Sequence, residues 1–351
     1  MSDIVAPQGS PLSAAVLSVA SLRDSLAFYC DVIGFEAAPT VEWFGPAFET
    51  LWQLPRGASA QAALLTANRC PVGRILLLEF SRRAGDVELP APERIQAASN
   101  SQVIGLANLN FYCRDVHAAV AQLTSLGYEF WSDPTQHSMT ASVGNPIEVL
   151  FDGPDGVAIN LVQLAGDDPA TRVGQMRAYV ESQGYTAQGF TPVVTTSHVV
   201  HSIPKARAFY ERVLRMGLLF DDTLSASQAN AFLRLPSYSR TLLNFMQGNH
   251  MFGKLALSQP LNYEGHCVDL RARAHAPNIG YLAQIFEVTD FEQTRAACAS
   301  LKCEVLVGLL RTDIPGMSRR AVSVVRNPGS GALQWLISAV PQATKPSAPL
   351  Q

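Results

Sequence analysis

Val19-Ala20-Ser21…Phe28-Tyr29, Cys113-Arg114-Asp115, Val200-His201-Ser202…Phe209-Tyr210 and Val288-Thr289-Asp290 are four versions of one passage. Anchored on Ser21, Asp115, Ser202 and Asp290, they recur at intervals of 94, 87 and 88 residues, the mark of four copies of one supersecondary unit. In each copy an apolar run alternates as a strand does, Ser or Asp stands where a helix N-cap belongs, and helical periodicity follows. The first reads Ala15-Val16-Leu17-Ser18-Val19, cap Ser21, helix Leu22 to Asp31, with Gly34 suited to a helix C-terminus. The third has Ser202, then Lys205-Ala206-Arg207-Ala208-Phe209-Tyr210 and Gly217. The second and fourth share another helix text, from Ala118 to Leu126 and from Thr294 to Leu301. Copies one and three therefore match best, as do two and four.

Beyond each helix lie short β-like runs. Two copies end in a turn and a strand, Pro154-Asp155-Gly156 into Val157-Ala158-Ile159-Asn160-Leu161 and Asn327-Pro328-Gly329-Ser330 into Ala332-Leu333-Gln334-Trp335-Leu336. Pro and Gly supply the turn geometry, and the alternation that follows supplies a half-buried strand. One unit is thus a strand, a helix and roughly three further strands.

This arrangement resembles the vicinal oxygen chelate superfamily, the glyoxalase, bleomycin-resistance and extradiol dioxygenase group built of βαβββ modules. The resemblance is carried by Ser25-Leu26-Ala27-Phe28-Tyr29…Val32-Ile33-Gly34-Phe35, by Lys205 to Tyr210 with Val213-Leu214, by Gly105…Asn110-Phe111-Tyr112-Cys113-Arg114-Asp115-Val116 and by the Pro-Asp-Gly turn, and it spans residues 10 to 341. It implies an α+β fold of four tandem modules paired into two open, cup-shaped sheets. The expected organisation is an N-terminal arm (1–10), an N-terminal domain of two modules (11–100 and 101–165, together 11–165) and a linker (166–191) in which Arg172 to Ser182 has helical character. A C-terminal domain (192–341, modules 192–276 and 277–341) and a Pro-rich, disordered tail (342–351) complete it.

The chain has 351 residues, 48% hydrophobic and 16% charged, enough for two cores. A net charge of −3 with no basic run gives no reason to expect nucleic acid. No apolar stretch reaches bilayer length, and the polar N-terminus does not read as a signal peptide. The six cysteines form no CxxC pair and no disulfide-dense spacing, so a reduced cytoplasmic setting is expected. A monomer with both cups built internally is expected, or a homodimer, with a small molecule as partner.

Function turns on the metal. The resemblance implies that catalytic members hold one divalent ion between His, Gln or Glu on a module's first strand and Glu or His on its last, leaving positions open for two vicinal substrate oxygens. Counting from the cassettes places Ala14, Asn108, Thr195 and Ala283 at the first-strand positions. The last-strand positions fall on Asn160 and Gln334, with Leu76 and Ala256 in the copies aligned less securely. None is His, Asp or Glu, and amide oxygens alone are poor ligands for transition metals. The expectation is a cup without cofactor; the alternative is an Fe, Mn, Zn or Ni site at misaligned positions.

Strand parity then selects the inward residues. His198 should face the helices. His201 shares parity with Thr195, Ser197 and Val199 and should open toward the cup as a general acid or base. Asn108, Asn110 and Tyr112 point inward in the second copy, a set able to orient carbonyl or hydroxyl oxygens, and Glu287 follows Ala283 and Ile285 in the fourth as a candidate base. The expected site is therefore His201, Glu287 and Tyr112 for catalysis, with Asn108, Asn110, Asn160, Thr195 and Gln334 binding substrate. Trp43, Phe44, Phe48 and Trp52 fall where the second and third strands of copy one belong, and most such aromatics read as core. Three functions remain open: acid/base chemistry of the isomerase, epimerase or lyase kind on an oxygenated, aromatic or polyketide-like compound; sequestration of a drug-like ligand; or a ring-cleaving dioxygenase with misaligned ligands.

Overall fold

The computed structural model describes residues 9–96, 98–137 and 142–339, so most of the N-terminal arm and the whole C-terminal tail lie outside the described residues. Each cassette is a strand running into a capped helix. The Ser21 side chain accepts from the Asp24 amide, Asp115 from the His117 and Ala118 amides, Ser202 from Lys205 and Asp290 from Gln293, each satisfying donors that the first helical turn leaves unpaired. Asp115→Ala should lower stability by about 1 kcal/mol in urea unfolding, and a change of a few tenths or less would show the cap to be dispensable.

The first module contributes β1 (Leu12–Ser18), α1 (Leu22–Leu26), α2 (Pro46–Trp52), β2 (Ser59–Thr66) and β3 (Arg74–Phe80). Beyond α1 the chain keeps winding as a wider π-type turn over Ala27–Val32, so the expected single helix is split. Trp43 lies on a short edge strand, Val41–Phe44, but Phe48 and Trp52 sit on α2 instead of a strand, because Pro46 starts a helix at its first turn. The second module supplies β4 (Val103–Tyr112), α3 (Val116–Ser125), β5 (Ile147–Asp152) and β6 (Ala158–Gln163). A bridging helix, α4 (Arg172–Gln183), follows, within the stretch expected to be a linker. The third module holds β7 (Thr195–Val199), α5 (Ile203–Arg212), β8 (Gly217–Leu224), α6 (Ser227–Phe232), β9 (Thr241–Gln247) and β10 (Lys254–Pro260). The fourth has β11 (Gly280–Glu287), α7 (Phe291–Ser300), β12 (Val305–Ile314), β13 (Ser318–Arg326) and β14 (Leu333–Ala339).

The sheets do not follow the halves of the chain. One runs β12-β13-β14-β11-β1-β3-β2, joining the fourth module to the first; the other runs β8-β9-β10-β7-β4-β6-β5, joining the third to the second. The seams are antiparallel pairs of first strands, Ala14↔Ile285 to Ser18↔Gly280 and Thr195↔Asn110 to Val199↔Gly105. Each sheet is thus built from one module of 11–165 and one of 192–341. The long connections 81–102 and 261–279 carry the chain from one sheet to the other, and lengthening a surface connection costs little closure entropy.

The helix-bearing faces of both sheets turn toward each other and share one core, which includes Leu17, Phe111, Phe209 and Phe286. Phe28 of the first module packs 6.3 Å from Phe151 of the second, and Tyr210 of the third 6.2 Å from Phe286 of the fourth. His198 lies in this shared core, fully buried, its ring nitrogens held by Tyr210 and Ser330, and burial lowers its pKa to about 3. It is a neutral structural histidine on the helix side.

Candidate functional site

The two outer faces differ in chemistry. On the sheet of modules one and four, the residues at and around the aligned ligand positions are Ala14, Val16, Leu76, Ala283 and Ile285, and the cup is filled by Trp43, Phe48, Trp52, Phe80 and Trp335. Trp335 and Trp52 stand 4.8 Å apart between ring centroids. At the rim Glu287 pairs with Arg74 at 3.0 Å and approaches Arg320 at 3.9 Å. This cup is a hydrophobic core capped by an ion pair.

The sheet of modules two and three is polar on its outer face. Strand register sets Lys254 beside Thr195, Thr195 beside Asn110 and Asn110 beside Asn160, one straight row across β10, β7, β4 and β6. At about 4.8 Å per strand the row spans roughly 15 Å. The next row along reads Phe220, Phe245, Ala256, Ser197, Asn108 and Ala158, beginning with two phenyl rings stacked at 4.3 Å. On the other side of the Asn row stand Tyr112, Val162 and Glu148.

Asn108, Asn110, Asn160, Thr195 and Lys254 are all buried. The Oδ1 atoms of Asn108, Asn110 and Asn160 have no hydrogen-bond partner among the described residues. A buried polar atom left unpaired costs about 1–3 kcal/mol, and native interiors hold few of them. Three of them stand together on two neighbouring strands of one face. The Asn160 orientation is fixed by its neighbour: Nδ2 donates to Glu148 Oε2 at 2.6 Å, and because a carboxylate only accepts, the oxygen is turned the other way.

Lys254 enters an otherwise apolar strand, and it is one of four lysines in the chain, with Lys205, Lys302 and Lys345. Nζ makes no ion pair among the described residues; it donates to the Met251 carbonyl at 2.5 Å, lies 4.0 Å from Met176 Sδ and sits 5.6 Å over the Tyr112 ring. Met176 comes from α4, which with Val173 and Val180 packs over this end of the cup. Removed from water and without a counter-charge, the amine has its pKa lowered to about 7. Tyr112 is shifted the other way, first by burial and then by the Glu148 charge, so its phenol keeps its proton.

Of the residues expected from sequence, Asn108, Asn110, Tyr112, Asn160 and Thr195 come together here. Gln334 does not: its neighbour across the strands is Gln284, on the helix side, and the outward residues of β14 are Leu333, Trp335 and Ile337. The alignment is one residue out of phase, which in a strand means the opposite face. His201 does not open toward the cup, because β7 ends at Val199 and its alternation ends with it. Half exposed, its Nδ1 meets Glu264 Oε1 at 2.6 Å and its Nε2 meets Asp269 Oδ2 at 3.3 Å. Partial burial works against its charged form, but the two carboxylates outweigh it and the pKa is raised. Its NMR titration midpoint should therefore lie above 6.5, and the support its charge lends to folding is present below that value and lost as pH rises through the midpoint. Glu287 keeps the outward parity expected of it but stands at the rim of the apolar cup, on the other sheet from Tyr112. Lys254 was missed, although it lies two residues before Ala256 on the same face, where a lone charge in the run Leu255-Ala256-Leu257 is the available signal.

Catalytic vicinal oxygen chelate proteins imply a divalent metal, and the donors of this cup do not fit one. Among the described residues no group of three or more His, Cys, Asp or Glu is arranged to hold a metal ion, and the row offers neutral amide oxygens beside an amine that repels cations when protonated.

Among the described residues no helix is long and apolar enough to cross a membrane. No curated protein matches the chain in sequence. Solved structures do. Glyoxalase I from Zea mays is 14% identical with a TM-score of 0.56, over 94% of this chain and 92% of that one. A Bacillus subtilis protein provisionally named a dioxygenase is 11% identical with a TM-score of 0.52, over 96% and 87%. At such identities these share the fold. Residues 12–161 match the family described as Glyoxalase/Bleomycin resistance protein/Dioxygenase superfamily. That match covers residues 12–161, and the paired strand-helix-strand modules of the described chain have the vicinal oxygen chelate fold.

Proposed function

We propose that the polar cup of modules two and three binds an oxygenated small molecule and carries acid/base chemistry of the isomerase, epimerase or lyase kind, with no divalent metal among its working groups. One observation carries the reading: the row Lys254, Thr195, Asn110 and Asn160, in which buried carboxamide oxygens stand unpaired next to a lysine without a counter-ion.

The residues divide the work by their chemistry. Unpaired carboxamide oxygens accept hydrogen bonds, so the ligand presents hydroxyl or amine donors to Asn108, Asn110 and Asn160. Tyr112, protonated, and Thr195 supply donors for a carbonyl or developing oxyanion. Phe220 and Phe245 offer a ring face at the open end for the apolar part of the molecule. Lys254, near half-deprotonated at pH 7, takes and returns the proton, since a base works best with its pKa close to ambient pH.

The test follows proton exchange in D2O by NMR for a panel of hydroxylated carbonyl compounds beginning with dihydroxyacetone, with wild type, Asn110→Ala and Lys254→Met. Wild type should catalyse exchange at the carbon next to the carbonyl, Lys254→Met should lose it by about 10²–10⁴-fold, and Asn110→Ala should weaken binding about tenfold. Saturable binding that depends on Asn110, with no exchange on any member of the panel, would instead make the protein a sequestering one.

A further inference from the structure

We infer that the Lys254 amine bonds covalently to its ligand, forming an imine with an aldehyde or ketone that carries hydroxyl groups. The inference rests on the reading that this cup is the working site, and it narrows the substrate to a hydroxylated carbonyl compound.

The surroundings of Nζ are those of a nucleophile. Its contacts are a backbone carbonyl, a thioether and the face of a tyrosine ring, and no carboxylate among the described residues holds it as an ammonium. When neutral, its lone pair has no donor among those neighbours to consume it. Attack on a carbonyl carbon gives a carbinolamine. The carbon–oxygen bond then breaks, and the two hydrogens of the neutral amine leave with the oxygen as water. No oxidant or reductant is needed. A desolvated amine is the form in which lysine does this chemistry at neutral pH, and a site closed by Met176 and Phe252 slows hydrolysis of the product. Beyond Thr195 along the row, the Asn110 and Asn160 oxygens are left to accept from hydroxyls of the bound compound.

The composition makes the test clean. Full-length protein is treated with dihydroxyacetone and sodium cyanoborohydride at pH 7, and adducts are mapped by peptide mass spectrometry. Exposed Lys205 and Lys302 serve as internal controls. Lys254 should be modified at least about tenfold faster than either control, and Asn110→Ala, which keeps the amine, should slow Lys254 alone. Thermal shifts with dihydroxyacetone and with glycerol, which has hydroxyls but no carbonyl, are read alongside. If Lys254 reacts no faster than the controls while dihydroxyacetone still raises Tm in wild type and not in Asn110→Ala, the covalent step is overturned and the cup remains the binding site. If Lys254 is not trapped and neither compound shifts Tm, both readings fall.

Discussion

Lys254→Met should make the protein more stable while removing its chemistry. The buried amine binds its proton less tightly in the folded chain, with a pKa of about 7 against 10.5 in the unfolded one. Between those values the unfolded state holds more protons than the folded state, so stability rises with pH across the window and is lowest below it. For a shift of that size the cost of keeping Lys254 is about 4 kcal/mol at pH 7 and about 2 kcal/mol at pH 9. Methionine fills a similar volume with no charge to desolvate, so the variant should escape most of this cost. Urea unfolding of both proteins at several pH values checks it: the gap should shrink by about 2 kcal/mol from pH 7 to pH 9. His198, buried and neutral in both, cancels in the comparison. Parallel profiles would mean that Lys254 is not desolvated, and the functional reading would lose its reactive group.

The second large effect belongs to the other cup. Trp335 is completely buried against Trp52 and Trp43, and truncation to alanine should cost about 3–5 kcal/mol, because packed rings cannot collapse into the space left. The loss should appear in unfolding midpoints. Asn110-dependent ligand binding, on the other sheet, should persist in whatever fraction remains folded. A cost below about 1 kcal/mol would mean that this cup is loosely filled, and so a second candidate binding cavity. The two cups thus differ in chemistry: apolar residues turn the first into a core, and unpaired amides line the second, where we propose that the ligand binds.

Much of this was legible in the residues. The cassettes announced four modules, and their caps sit at Ser21, Asp115, Ser202 and Asp290 because a side-chain oxygen next to unpaired amides is a local interaction. Parity within a strand was equally legible for Asn108, Asn110 and Tyr112, since alternation needs only the strand itself. It misled wherever the strand's extent or phase was not known. His201 lies past the end of β7, and Gln334 was assigned one residue out of register. The tryptophans of the first module were recognisable as core, but not the helix that carries two of the four aromatics in that stretch.

The sequence by itself determined the repeat, the caps, the alternation of each strand and the absence of metal ligands at the aligned positions, because all of these reside in contacts between residues close along the chain. Tertiary structure decided which modules pair. Antiparallel seams join residues as far apart as Ala14 and Ile285, and both pairings satisfy the same local patterns. That choice sets Lys254 and Thr195 of the third module in line with Asn110 and Asn160 of the second, and burial then lowers the pKa of the lysine. Desolvation is a property of everything packed around an atom, and so it appears only when the chain is folded.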